Sequence, residues 1–420
     1  MNGEVLLSFS LCLVSILLIP FAIAGLALIN TGLGRSRSAA HAMTCALCAI
    51  AIAVIVYFIW GSAIQAYPPS ANLIRPTSDA VPGGPGVFLR TLTYFGPSLA
   101  TLLGFFSVAL ATIIPLGSSA DRWRFAGVCA STALFGGWIY PVFARFAWAG
   151  PLSRLSFGTS VGTNFLDAGG SGVINVTGGL TALSIAWLLG PRRGKYSGQG
   201  LPAAIPAHNA VFVLFGCMLA WVGWLGLNSA GAMLYTAMPP ERSVLVVINT
   251  TFAACAAALT AAAVTRIRFR KPDASLIANG WMAGLVAGSA GCATLKPATA
   301  VLTGLVAGAL VVFSVETLEF RLKLDDPCGS VSVHAVCGIW GLLAAGIFSD
   351  VAGQFMAQLV GIATLLGFIF PMTYFLNWLL NRFIPYRVSI DGERQGLDLH
   401  ELGADAYPEF VVHTDEFIQR

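Results

Sequence analysis

Charge is scarce in this chain. Only 23 Lys+Arg and 19 Asp+Glu occur in 420 residues, 10% of the total, where a soluble domain carries about 25%. So few charged groups could not cover a water-soluble globule of this size, which excludes a cytosolic enzyme. A net charge of +4 is too small to point to nucleic acid. A disordered chain is excluded as well, since disorder needs low hydrophobicity. No nucleophile–base arrangement, metal cluster or nucleotide-binding loop is read, so neither an enzyme nor a cofactor is expected. The nine cysteines fall almost wholly within apolar runs, where Cys acts as a small hydrophobe. Cys45-x-x-Cys48 is read the same way, in a helical run with no histidine nearby. The first apolar run lacks preceding basic residues and a short core with a cleavage site, so it reads as a first helix rather than a signal peptide.

Apolar sequence is what the chain has in abundance: 56% of residues, with a mean hydropathy of +0.78. Runs of about 20 apolar residues suit helices across a hydrocarbon core of about 30 Å, whereas a transmembrane barrel would alternate. The expected fold is an all-α polytopic membrane protein of eleven spans. They lie near residues 5–29, 40–66, 93–116, 125–148, 168–189, 208–235, 243–265, 275–293, 298–318, 330–348 and 354–381. Alternating the loops places 17 of the 23 basic residues on one side, five on the other, and leaves Lys296 unassigned. Basic loops mark the cytoplasm, so the expected orientation is N-out and C-in. Residues 1–382 form the expected membrane domain and 383–420 a polar cytoplasmic tail. The Pro- and Gly-rich segment 67–92 is expected to be external.

Two spans share a pattern. Asp167-AGGSGVI-Asn175-VTGG and Asp326-PCGSVSV-His334-AVCG each place a Gly three residues after the Asp. Each also has an amide or imidazole at +8 and a Gly at +12. A five-helix unit inverts on repetition, and inverted repeats place equivalent polar residues near the membrane midplane, around the substrate path. Eight helical residues climb about 12 Å from Asp167, close to half the core thickness. Asn175 and His334 are therefore candidate pore residues, weighed against simple interhelical hydrogen bonding worth about 0.6 kcal/mol.

Further motifs carry a family resemblance. They are DRWRF (Asp121–Phe125), FAWAG around Trp148, DAGGSGVINVTGG with GPRRGKY, and AHN (His208, Asn209). GWLGLNSAG (Gly223–Gly231), DDPCGSVSVHAVCGIWG (Asp325–Gly341) and the tail RQGLDLHELGADAYPE complete the series. In this order and nearly end to end, the chain resembles the ammonium transporter family (Amt/Mep/Rh), on the bacterial Amt side. The resemblance implies two inverted five-helix repeats plus an eleventh helix. It also implies a homotrimer with one pore per subunit in the cytoplasmic (inner) membrane. The tail would be held against a neighbouring subunit, and a PII (GlnK-type) signal protein would dock at the cytoplasmic face.

The resemblance implies an external mouth at which Trp148 offers an indole face to a cation, an attraction of about 1–2 kcal/mol. Asp167 would shape that mouth from below. Several positions depart from the family pattern. The mouth serine matches Gly231, with Ser229 two residues earlier. The two gating phenylalanines match Ser107, just after Phe105 and Phe106, and Leu227. The first of the paired pore histidines matches Asn175, whose amide cannot take a proton near neutral pH. Lys296 stands where relatives carry a small residue. It is either an interfacial lysine or a charge at the pore mouth that pairs with a carboxylate such as Asp167. The expected function is passage of ammonium, ammonia or a small amine through each subunit. The alternatives are a family member with a changed substrate and a non-transporting sensor.

Overall fold

The computed structural model describes residues 3–66, 86–90, 95–155 and 164–408. Most of the expected external segment 67–92, with Arg75, and the last part of the tail lie outside these residues. Among the described residues the fold is entirely helical, apart from two isolated backbone bridges. The helices are α1 (Leu6–Leu33), α2 (Ser36–Gln65), α3 (Ser98–Ser118), α4 (Phe125–Arg154), α5 (Ser171–Leu189), α6 (Ala210–Tyr235) and α7 (Pro240–Phe269). They continue as α8 (Ala274–Ser289), α9 (Pro297–Phe320), α10 (Val331–Ile347), α11 (Gln354–Phe383) and a short tail helix, α12 (Ile390–Gln395). Among the described residues, nine have the length and hydropathy to cross a membrane, and α10 is a shorter apolar helix. The expected eleven crossings are thus matched by nine helices of full length, with α8 at 16 residues and α10 below that standard. The chain is a multi-pass membrane protein.

Helix starts follow local chemistry. Asn209 caps α6 by accepting from the Phe212 amide (3.0 Å), and Asp273 caps α8 by accepting from that of Leu276 (2.9 Å). These are residue types whose short side chains satisfy an otherwise orphaned first-turn amide.

The four-point sequence repeat is a structural repeat. Asp167 Oδ2 accepts from the amides of Gly172 (3.0 Å) and Val173 (2.8 Å) at the start of α5. Asp326 accepts likewise from Ser330 (3.0 Å) and Val331 (2.7 Å) at the start of α10. Gly170 and Gly329 both take positive φ, +80° and +70°, a conformation that lets the chain turn into the helix without a Cβ penalty. The +12 glycines mark where α5 and α10 cross. A Cβ on Gly179 would sit 2.4 Å from the Ala335 amide, and one on Gly338 2.7 Å from Val176 Cγ2. Small residues at such a point allow backbones to approach. Each helix also opens with a wide, π-helical turn, Ser171–Val176 and Val331–Val336, a local geometry that recurs at functional sites.

The motif arginines form a buried clamp at one end of the bundle. Arg192 reaches Asp121 at 3.0 Å and holds Asp325 through two bonds of 2.9 and 3.0 Å. Arg122, fully buried, donates to the backbone carbonyls of Ser118 (2.9 Å) and Asp325 (2.8 Å). Burial pushes the Asp325 carboxyl up, but Arg122 and Arg192 outweigh it and hold it below the ordinary aspartate value. Arg122 and Arg192 serve this clamp, beyond their place in the loop charge balance. The reading of Cys45 needs correction: His41 lies one turn earlier, and its ring nitrogens are 3.6 and 3.7 Å from the Cys45 sulfur. Among the described residues these groups do not form a metal cluster.

Candidate functional site

The site builds outward from the crossing of α5 and α10. Asn175, fully buried, and His334, 2% exposed, face each other there. Asn175 Oδ1 lies 2.8 Å from His334 Nδ1, and Asn175 Nδ2 donates to the Gly170 carbonyl at 3.0 Å. The π-turns bring residues +8 from each capping Asp to the same point, so the two halves of the repeat contribute one polar group each. The facing atoms of this buried polar pair satisfy one another and the backbone, as buried polar groups generally must, which leaves His334 Nε2 without a partner among the described residues.

Asp167 is buried eight residues before Asn175. Its Oδ1 has no hydrogen-bond partner among the described residues, and its backbone carbonyl accepts from Trp148 Nε1 at 2.9 Å. Gln358 from α11 steadies this segment by bonding both the carbonyl and the amide of Leu166, each at 2.8 Å. Trp148 thus sits at the end of α4, oriented by the same strand of backbone that carries Asp167.

Leu227, Gly231 and Tyr235 fall four residues apart on one face of α6. Leu227 is buried. Gly231 lies so close to the Ala168 carbonyl that a Cβ would be 2.2 Å from it. Missing serine at this position is therefore matched by missing space. Tyr235 stacks on Trp148, with ring centroids 3.8 Å apart and planes 10° apart. Sequence reasoning missed Tyr235: its place one helical turn beyond Gly231 puts it on the same face of α6, but nothing local to the sequence pairs it with Trp148. Ser107 is buried on α3 and faces the hydroxyl of Tyr140, while Phe106 beside it is half-buried against the core.

Lys296 does not join this group. It precedes α9 with its Nζ 3.0 Å from Asp350 Oδ2, and both side chains are exposed, 70% and 84%. Asp167, named as one carboxylate it could pair with at a pore mouth, bonds backbone amides instead.

The tail docks on this chain's own helix starts. Asp398 accepts from the amides of Ala40 (3.1 Å) and His41 (2.7 Å) near the start of α2. Glu401 accepts from the Phe125 amide (2.7 Å) at the start of α4 and lies 2.9 Å from His41 Nε2. Acidic groups at helix N-termini meet both free amides and the positive end of the dipole.

A family model described as Ammonium Transporter Family matches residues 10–407. The ammonium transporter Amt2 of Archaeoglobus fulgidus is 34% identical, over 99% of this chain and 91% of the relative. The ammonium transporter Amt2 of Haloferax mediterranei is 31% identical, over 94% and 88%. Among solved structures, a sensor Amt protein superposes with a TM-score of 0.84 at 25% identity, over 95% of this chain and 99% of that one. With one model spanning almost the whole sequence and relatives above 30% identity at near-full coverage, the chain belongs to the ammonium transporter family.

Proposed function

We propose that this protein moves ammonium, ammonia or a small amine across a membrane, through a pore in each subunit. The observation that carries this reading is the buried Asn175–His334 pair at the crossing of the two repeats. Polar residues so placed mark a substrate path. Trp148, Asp167, Ser107, Phe106, Leu227 and Gly231 form the proposed recruitment mouth, with Tyr235 added by its stack on Trp148. Lys296 lies apart from these residues, its charge balanced by Asp350 in an exposed pair. Two inverted five-helix repeats and an eleventh helix would give eleven crossings, N-out and C-in, in the cytoplasmic membrane. Residues 1–382 would then be the membrane domain and 383–420 the cytoplasmic tail.

A homotrimer is the assembly this reading favours, with a PII-type protein at the cytoplasmic face. The non-transporting sensor is not favoured: the two relatives named above, 34% and 31% identical, carry the name of transporters, against 25% identity for the sensor. The matched family and its named relatives are transporters, which does not favour an enzyme. The test is uptake of labelled methylammonium into proteoliposomes, alongside larger amines, urea and carbon dioxide. Saturable uptake competed by ammonium supports the reading. Uptake no greater than in empty vesicles, with folded protein present, sinks it.

A further inference from the structure

We propose that Asn175 is a positioning residue that fixes the tautomer of His334, leaving Nε2 as a permanent hydrogen-bond acceptor for an N–H donor. The argument starts at Gly170. Its backbone oxygen can only accept, and it lies 3.0 Å from Asn175 Nδ2, so the amide nitrogen must point there. Turning the amide over would set two oxygens against each other in a buried site, at a cost that no water relieves. Gly170 itself cannot move to accommodate the reversal. It is held in the left-handed region by the turn into α5, and its carbonyl also accepts from the amides of Ile174 and Asn175, each at 3.0 Å.

With the nitrogen committed, the atom facing the imidazole is Asn175 Oδ1. It lies 2.8 Å from His334 Nδ1, and an amide oxygen has no proton to give. Nδ1 must therefore carry the proton. In the neutral ring the lone pair then resides on Nε2, the one ring nitrogen with no hydrogen-bond partner among the described residues. A neutral imidazole has one donor and one acceptor, and here their assignment is settled by a backbone carbonyl two bonds away in the network.

Two consequences follow. The pair conducts no proton, because the Nδ1 proton has only an amide oxygen beyond it. The pore centre also discriminates by hydrogen-bond character. A solute with an N–H, such as ammonium, ammonia or a primary amine, can donate to Nε2. A solute with acceptors alone, such as carbon dioxide, finds no donor there. This second consequence rests on the transport reading above; the tautomer does not.

The experiment is nitrogen-15 spectroscopy of histidine-labelled full-length protein in lipid bilayers. Only five histidines contribute, and a His334→Asn variant identifies the relevant signal. The expected result is a single Nδ1–H tautomer at His334 in the unmodified protein, lost or mixed in Asn175→Leu. A predominant Nε2–H tautomer in the unmodified protein overturns the proposal, and so does an unchanged Nδ1–H tautomer in Asn175→Leu. The Nε2–H outcome in the unmodified protein overturns the proposal by itself, so it stays falsifiable even where the variant fails to fold. Methylammonium uptake separates the two readings. Asn175→Leu is expected to lower it by about tenfold, the worth of one hydrogen bond. The Nδ1–H tautomer in a protein that takes up nothing supports the tautomer assignment and sinks transport. Robust uptake with Nε2–H does the reverse.

Discussion

Tyr235 lies flat on Trp148, centroid to centroid at 3.8 Å with the planes 10° apart. A cation bound to an indole sits over the ring face, and this face is covered by another ring. Trp148 is only 6% exposed. The proposed mouth would therefore be closed to a cation on that side by an aromatic pair drawn from α4 and α6.

Removing the cover should open the face. In Tyr235→Ala, the concentration of methylammonium giving half-maximal uptake is expected to fall by about two- to thirtyfold, the range of a cation–π contact of roughly 0.5–2 kcal/mol. Concentration dependence in proteoliposomes measures it. An unchanged or weaker half-saturation, with the variant still folded, would remove Trp148 from the recruitment site.

Lys296 gives the opposite expectation. Its ion pair with Asp350 is largely exposed, and such pairs contribute about 0–1 kcal/mol. Charges this close also cancel one another's field beyond a Debye length of about 8 Å. Lys296→Ser should leave thermal stability nearly unchanged and methylammonium uptake within about twofold. An increase of fivefold or more would instead identify Lys296 as an electrostatic barrier that Asp350 does not neutralise.

The Arg192 clamp carries a larger stake. Asp121 and Asp325, both at least 94% buried, share this one guanidinium. Taking one partner from a buried ion pair costs about 3–5 kcal/mol because the remaining charge is stranded. Arg192→Ala is therefore expected to lower the unfolding temperature in detergent by more than any surface substitution, and to reduce folded yield. Wild-type stability in this variant would mean that Arg35, beside Asp121, and Arg122, beside Asp325, hold the two carboxylates without it.

These cases also show what could be read from sequence. The Asp–Gly–polar–Gly pattern was legible because each point answers a local demand: a carboxylate for orphan amides, a glycine at positive φ, and a glycine where backbones touch. Asn175 and His334 followed from the same register. The Trp148–Tyr235 stack was not legible, since it depends on how α4 meets α6 and no local rule forces it. Arg122 and Arg192 could be counted as loop charge, but their burial required Asp121 and Asp325 to converge from distant loops. For Lys296 the sequence leaves open an interfacial lysine or a pore-mouth charge beside a carboxylate such as Asp167, and charge alone cannot choose the partner. Asp167 was already engaged by Gly172 and Val173, and proximity chose Asp350.

The tail supplies a prediction in pH. Burial raises the Glu401 carboxyl, but hydrogen bonds from His41 and the Phe125 amide outweigh it, so its value in the docked state lies below the ordinary 4.5. A group with a depressed value stabilises the docked state fully above its undocked value and loses that contribution as pH falls through the lower one. Docking of residues 390–402 should then hold through neutrality and weaken only in acid, beginning below about 4.5. Glu401→Gln should abolish this part of the acid response, since its amide does not titrate there. Asp398→Ala should loosen the tail at every pH by roughly 1 kcal/mol, the worth of a helix cap, or about fivefold in the exchange of tail amides. Hydrogen exchange of the tail, corrected for intrinsic rates, measures all three. Acid release that persists unchanged in Glu401→Gln would assign the switch to another group and leave Glu401 with no part in holding the tail.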